Sequence, residues 1–150
     1  MRIRELEQSD SKDISSISNI LSKYFTIAGR RNIRRACKVQ SGFVAVEENI
    51  VGFLLYRKWR YTAIITWMGV LPEYQKKGIG KNLLKTLENK LRKYGVRKLK
   101  VSTLAPTIRY KPYEKTRKFY LKNGFQKYRT DRKFYPDGSD RLVLLKQIKK

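Results

Sequence analysis

The sequence predicts one α/β domain with a mixed sheet, in the order β-α-α-β-β-β-α-β-α-β-β. Three observations predict it. Short apolar runs bounded by turn residues recur along the chain and read as strands. Residues 79–94 carry apolar side chains every three or four positions, the spacing of a helix packed on a sheet. No repeat, low-complexity tract or linker interrupts the 150 residues, a length that fits a single domain over 1–150 with a proper core.

Residues 2–7 alternate apolar and charged side chains and read as an edge strand. Ser9 or Asp10 can cap a helix with Ile14, Ile17, Leu21 and Tyr24 on one face. Residues 29–38 form a short, very basic second helix. Runs at 42–46 and 50–56 flank Glu47-Glu48-Asn49, a hairpin signature, and a third strand at 61–70 follows Lys58-Trp59-Arg60. The helix from Gly78 buries Ile79, Leu83, Leu84, Leu87, Leu91 and Tyr94, and Gly95 terminates it. A strand at 97–104 comes next, then a helix opened by Pro112 or Tyr113 and closed by Gly124. Residues 125–135 and 141–148 make a last hairpin around Pro136-Asp137-Gly138-Ser139.

Composition excludes several chemistries. The chain has no histidine, so Ser-His and Cys-His nucleophiles and histidine metal sites are ruled out, and Cys37 is its only cysteine, so it forms no internal disulfide and no cysteine-based zinc site. No metal is expected. No apolar run reaches the length of a membrane span and the N-terminus has no signal-peptide apolar region, so a soluble, cytoplasmic protein is expected. The net charge of +24 is extreme, and between Asn49 and Tyr113 only Glu73 and Glu88 oppose fifteen Lys and Arg residues. Such a field draws anions: nucleic acid, a ribonucleoprotein, an anionic metabolite or an acidic protein. A lysine-rich solvated surface of the thermophile kind accounts for it equally well.

The most informative stretch is 70–84. An apolar strand containing Ile64, Ile65, Trp67 and Met68 runs into Gln75-Lys76-Lys77-Gly78-Ile79-Gly80 and then an amphipathic helix. Such a loop presents unpaired backbone N–H groups at a helix N-terminus, and its glycines let a bulky anion approach the backbone. The natural guest is a pyrophosphate; tight helix–strand packing is the competing reading. The Walker loop is excluded because Asn82 follows Gly80-Lys81 with no matching upstream glycine, and the dinucleotide fingerprint because Leu83 stands at its third glycine.

The element order and this loop resemble the GCN5-related N-acetyltransferase (GNAT) family. Its [Q/R]-x-x-G-x-[G/A] motif is met by Gln75, Gly78 and Gly80, and Phe119-Tyr120 followed by Gly124-Phe125 resembles the family's late helix. The resemblance spans essentially the whole chain. It implies a mixed, mostly antiparallel sheet flanked by helices, and acetyl-CoA as co-substrate. It also implies that the backbone of Met68, Gly69 and Val70 pairs with the pantetheine arm as an added strand. The amides from Lys76 through Gly78, Ile79, Gly80 and Lys81 would cradle the pyrophosphate, and Gln75 would order the loop. Lys76, Lys77 and Lys81 would meet the nucleotide phosphates or remain solvated. Tyr120 matches the general acid that returns a proton to the departing thiolate; with an ordinary pKa of about 10 a tyrosine donates without special tuning. The Met68 or Val70 amide would polarise the thioester carbonyl.

The pattern also fails in places. Residues 62–69 hold no acid, Lys100 stands where some relatives carry Glu, and Tyr113 stands where many carry a cofactor-contacting Asn. No general base can be named, which favours an acceptor amine of low pKa, deprotonated through water or backbone carbonyls. The implied reaction is acetyl transfer to a primary amine, first of all a protein amino group, lysine or N-terminal. The positive surface disfavours polyamines and aminoglycosides and tolerates aminoacyl-tRNA or a protein bound to nucleic acid. Arg30, Arg31, Arg34 and Arg35 are candidates for steering an anionic acceptor. The competing reading is a nucleic-acid-binding module on a catalytically degenerate scaffold, with basic residues interleaved among Tyr56, Trp59, Tyr61, Tyr110, Tyr113 and Tyr128. Monomer and homodimer both remain open.

Overall fold

Near-continuous apolar runs at 42–46 and 50–56, buried on both faces, and a third at 62–70 produce long antiparallel strands, and these form the spine of the molecule. A computed structural model describes residues 1–107 and 109–149. The strands are β1 (Arg2–Glu5), β2 (Ser41–Val46), β3 (Ile50–Trp59), β4 (Thr62–Val70), β5 (Lys98–Leu104), β6 (Gln126–Asp131) and β7 (Arg141–Gln147), in sheet order β1-β2-β3-β4-β5-β7-β6. Only β4 and β5 pair in parallel. A parallel pair needs a long crossover, and α3 (Ile79–Lys93) supplies it. The other helices are α1 (Ser11–Ile20), α2 (Ile27–Val39) and α4 (Lys111–Lys122).

Each face of the sheet carries its own core. On one, Ile14, Ile17 and Leu21 with Ile33, Ala36 and Cys37 bury Val44, Phe53 and Leu55. On the other, the apolar stripe of α3 (Ile79, Leu83, Leu84, Leu87 and Leu91) packs with Tyr120 of α4 on Leu54, Tyr56, Ile65, Leu99 and Leu144. Burying each large aliphatic side chain contributes roughly 1.5–3 kcal/mol. The α2 helix lies so close to the sheet that a Cβ on Gly29 would stand 2.7 Å from the Trp67 ring.

Several expected boundaries move, each for a local reason. β1 stops at Glu5 because Glu7 and Asp10 form a reciprocal cap on the following turn, with Arg4 bonded to both Asp10 oxygens at 2.9 Å. The first helix ends at Ile20 and Leu21 is its C-cap, so Tyr24 packs from the connecting turn and not from the helical face. Tyr94 is exposed where burial was expected: α3 ends at Lys93, and Lys58 Nζ sits 4.6 Å above the Tyr94 ring. β6 ends at Asp131, where Arg141 draws the carboxylate back onto β7. No described helix is long and apolar enough to cross a membrane.

Candidate functional site

The site begins with one extra residue. Leu55 pairs with Trp67 but Tyr56 pairs with Ile65, so Thr66 is an insertion in β4. A bulge of this kind bends its strand and ends regular pairing. The Thr66 hydroxyl donates its one proton to Gln40 and lies 3.3 Å from the Leu55 carbonyl. Past the bulge β4 leaves β5: their ladder runs only from Thr62↔Lys98 to Ile65↔Val101. A gap opens between Met68–Val70 on one side and Ser102–Leu104 on the other.

The polar groups facing this gap follow from strand alternation. The Leu71 N–H donates to the Val51 carbonyl at 2.8 Å, which makes that pair a hydrogen-bonded one. Two residues back, Gly69 therefore bonds to Phe53 on β3, while Met68 and Val70 turn their N–H and C=O groups into the gap. The Val70 carbonyl accepts from Gln75 Nε2 at 2.9 Å. On the far side the Ala105 N–H donates to the Asp140 carbonyl, and the same alternation turns Ser102 and Leu104 toward the gap. Arg117 Nη1 donates to the Leu104 carbonyl at 2.8 Å. Gly69 thus differs from its neighbours: its backbone is spent on β3, and its lack of a side chain admits Leu21 and Phe53, which a Cβ would meet at 2.8 and 3.1 Å.

At the end of β4, Gln75 ties the loop to the strand, and the chain turns through two left-handed residues, Lys76 (φ 61°) and Gly78 (φ 82°). The first helical bond of α3 runs from the Asn82 N–H to the Gly78 carbonyl, and no side chain caps the helix. The amides of Ile79, Gly80 and Lys81 have no acceptor among the described residues. Nothing lies within 4 Å of a Cβ built on Gly78, so the approach to these amides is open. Free N–H groups at the positive end of a fifteen-residue helix have the chemistry that suits a phosphate-type anion. Gly80 serves packing instead: its Cβ would stand 3.0 Å from the Phe119 ring and 3.4 Å from the Met68 methyl. Lys76, Lys77 and Lys81 are exposed, and Lys77 lies over the Tyr74 ring.

Tyr120 reaches the gap from the α4 side. Its ring is held edge-on by Phe119 and Phe125, with centroids 5.3 and 5.2 Å away, and its hydroxyl points at Met68 Sδ, 3.7 Å distant. Burial pushes the phenol well above the usual tyrosine value, which corrects the expectation of an untuned hydroxyl. The hydroxyl therefore stays protonated to higher pH than a solvated phenol.

Two hydroxyls tie the layers together where the strands part. Tyr110 donates to the Lys23 carbonyl and Tyr113 to the Tyr24 carbonyl, each at 2.8 Å, joining the start of α4 to the α1–α2 connection. Tyr113→Phe is expected to remove one tie worth about 0.5–1.5 kcal/mol. Amide hydrogen exchange should then speed up in residues 21–26 and stay unchanged in α3.

Among the described residues no carboxylate hydrogen-bonds to Tyr120 or to the backbone of Met68–Val70. Asp10 is held by Arg4, Glu88 by Lys146, and Asp140 accepts from Thr107 and the Lys133 amide, while Glu73 and Glu114 are exposed. Cys37 is no nucleophile: burial first, and the Asp10 charge second, push its thiol up to about 11. Of the four arginines on α2, Arg31, Arg34 and Arg35 are exposed, whereas Arg30 is half-buried with an unpartnered Nε. Lys100 is turned away from Tyr120, with its Nζ 5.4 Å from the Tyr128 ring. Sequence reasoning missed Arg117 and the Tyr110 tie. Arg117 lies inside the late-helix block, but its partner, a strand-end carbonyl, leaves no mark in the sequence.

Comparison with known proteins gives a consistent picture. The family model for the acetyltransferase (GNAT) domain matches residues 39–127. Among solved structures, a GNAT-family protein from Desulfovibrio desulfuricans superposes with a TM-score of 0.88 at 22% identity, covering 99% of each chain. The ribosomal-protein-S18-alanine N-acetyltransferase of Escherichia coli superposes at 0.79 with 21% identity, over 99% of this chain and 94% of that one. The yncA protein of Salmonella typhimurium, solved with acetyl-CoA, superposes at 0.76 with 18% identity, over 100% and 95%. At these identities the structures show a shared fold. No curated protein matches the sequence.

Proposed function

This chain belongs to the GNAT family of acetyltransferases, and on that premise we propose that it moves the acetyl group of acetyl-CoA onto the α-amino group of a protein. The observation that carries the reading is the open β4 edge at Met68–Val70, continuous with the free amides of α3 and overlooked by the Tyr120 hydroxyl. The N–H and C=O of Met68 and the N–H of Val70, whose carbonyl is held by Gln75, suit an extended, amide-bearing arm, and the amides of 79–81 suit a pyrophosphate. Each amide bond to a charged oxygen contributes roughly 1.5–3 kcal/mol. Gln75 holds loop and strand in one geometry, so these donors are set before the ligand arrives.

In the reaction the acceptor nitrogen attacks the thioester carbonyl, the C–S bond breaks, and the amine gives up one proton to water. The Met68 or Val70 amide is the candidate donor to the developing oxyanion. Tyr120 gives the thiolate its proton and regains one from water, so that the proton lost by the amine balances the one gained by the thiol. Burial that raises the phenol also raises a thiolate lodged beside it, which keeps that transfer feasible.

The acceptor class follows from the missing carboxylate. A lysine amine of pKa about 10.4 needs a base, whereas an α-amino group at about 7.7–8.0 is already partly neutral at pH 7. The E. coli structure described as acting on an alanine of ribosomal protein S18 is a precedent on the same fold. An intact amide cradle argues against a scaffold that has lost its chemistry.

A thioester-cleavage assay over peptides with free or blocked N-termini, with and without lysine, and over aminoacyl-tRNA tests this. Free N-termini should react, and the rate should follow ionisation of the acceptor amine itself. Faster acetylation of lysine in N-blocked peptides, or an enzyme-borne base titrating near pH 6–7, would count against it.

A further inference from the structure

We propose that the pole of the molecule opposite the gap binds single-stranded nucleic acid, with bases stacked on Trp59, Tyr61 and Tyr94 and phosphates held by the cations between them. Two segments build this pole: residues 57–61 (Arg-Lys-Trp-Arg-Tyr), which end β3 and turn into β4, and residues 92–98 (Arg-Lys-Tyr-Gly-Val-Arg-Lys), which end α3 and enter β5. The Arg97 and Lys98 amides both donate to the Tyr61 carbonyl, so the segments form one surface. Together they hold seven Lys or Arg residues, three aromatic residues and no acid.

The aromatics are not core residues that happen to show an edge. Trp59, Tyr61 and Tyr94 are 73%, 63% and 60% exposed. Each ring carries a cation: Arg60 at 5.6 Å from Trp59, Arg97 at 5.3 Å from Tyr61 and Lys58 at 4.6 Å from Tyr94. Arg60 keeps this arrangement at φ 54°, in a two-residue hairpin where Asn or Gly is usual. Alternating ring and cation match the alternating base and phosphate of an unpaired strand. Charge complementarity alone would admit an acidic protein, but such a partner has no use for flat ring faces. The one aliphatic side chain in these segments, Val96, is buried, so the pole lacks the aliphatic insert that membrane-surface anchors carry beside their aromatic residues.

The pole lies at the Thr62 end of β4 and the gap at its Val70 end, about 25 Å apart along the strand. Nucleic acid held there leaves the gap free and places the enzyme beside proteins bound to the same strand. The inference does not depend on the α-amino reading.

The test is fluorescence anisotropy of the full chain with a short labelled oligouridylate, a duplex RNA of equal length and inorganic polyphosphate. The expected result is binding of the single strand with a slope of about −3 or steeper in log K against log salt. Trp59 emission should be quenched in a Trp67→Phe background. Replacing Trp59, Tyr61 and Tyr94 together with alanine should weaken binding by at least about tenfold with every cation retained. Unchanged acetyl-CoA affinity in that variant shows that it is folded. Equal binding of polyphosphate or duplex with no effect of the triple replacement would overturn the proposal. So would tighter binding to anionic vesicles or to an acidic peptide.

Discussion

Tyr120→Phe should lower kcat by about 10²–10⁴-fold, the usual worth of a positioned proton donor. The KM for acetyl-CoA should change little, because the variant removes one oxygen and keeps the ring between Phe119 and Phe125. The hydroxyl's partner within the protein is a weakly accepting thioether at 3.7 Å, so its loss should cost less than about 1 kcal/mol of stability. A purely structural tyrosine would give the opposite pattern, a lower melting temperature with kcat unchanged. The pH dependence carries a second signature. Burial raises the Tyr120 pKa, so the donating form persists to higher pH than for a solvated phenol. The alkaline limb of kcat for the wild-type enzyme should therefore lie above pH ~10.

Gly78→Val should raise the dissociation constant of acetyl-CoA by about 10- to 100-fold, the loss of one amide-to-phosphate interaction and the strain that accompanies it. Gly78 sits at φ 82°, where an L-residue costs roughly 1–2 kcal/mol, and its surroundings are empty. The penalty therefore comes from the backbone and from methyl groups standing in the approach to the α3 amides. Gly138→Val is the matched control: φ 86°, equally open space, but in the β6–β7 connection. Both variants should lose similar stability, and only Gly78→Val should lose affinity for acetyl-CoA.

Much of the framework was legible because it rests on periodicity. The α3 stripe, the hairpin at 47–49 and the helix-ending glycines at 95 and 124 all stand where the residue pattern puts them. Tyr94 and Tyr24 depart from the pattern for one physical reason: each lies beyond the last residue of its helix, where helical spacing no longer sets the direction of the side chain. The bulge at Thr66 was not legible, because a threonine in a β-rich run fits regular and bulged strands equally, and only the competing register with β3 decides. That bulge opens the gap, so the motif at 75–80 revealed an anion cradle while the strand edge beside it stayed hidden. The polar contacts of Gln75 and Arg117 with strand carbonyls belong to the same class, set by tertiary geometry alone.

The central claim is that the β4 edge and the α3 amides together form the seat of acetyl-CoA. Isothermal calorimetry of acetyl-CoA against the wild-type chain and Gly78→Val tests it most directly. One site per chain is expected for the wild type, with affinity lost in the variant. No binding at millimolar acetyl-CoA, or equal binding by the two proteins, would contradict it.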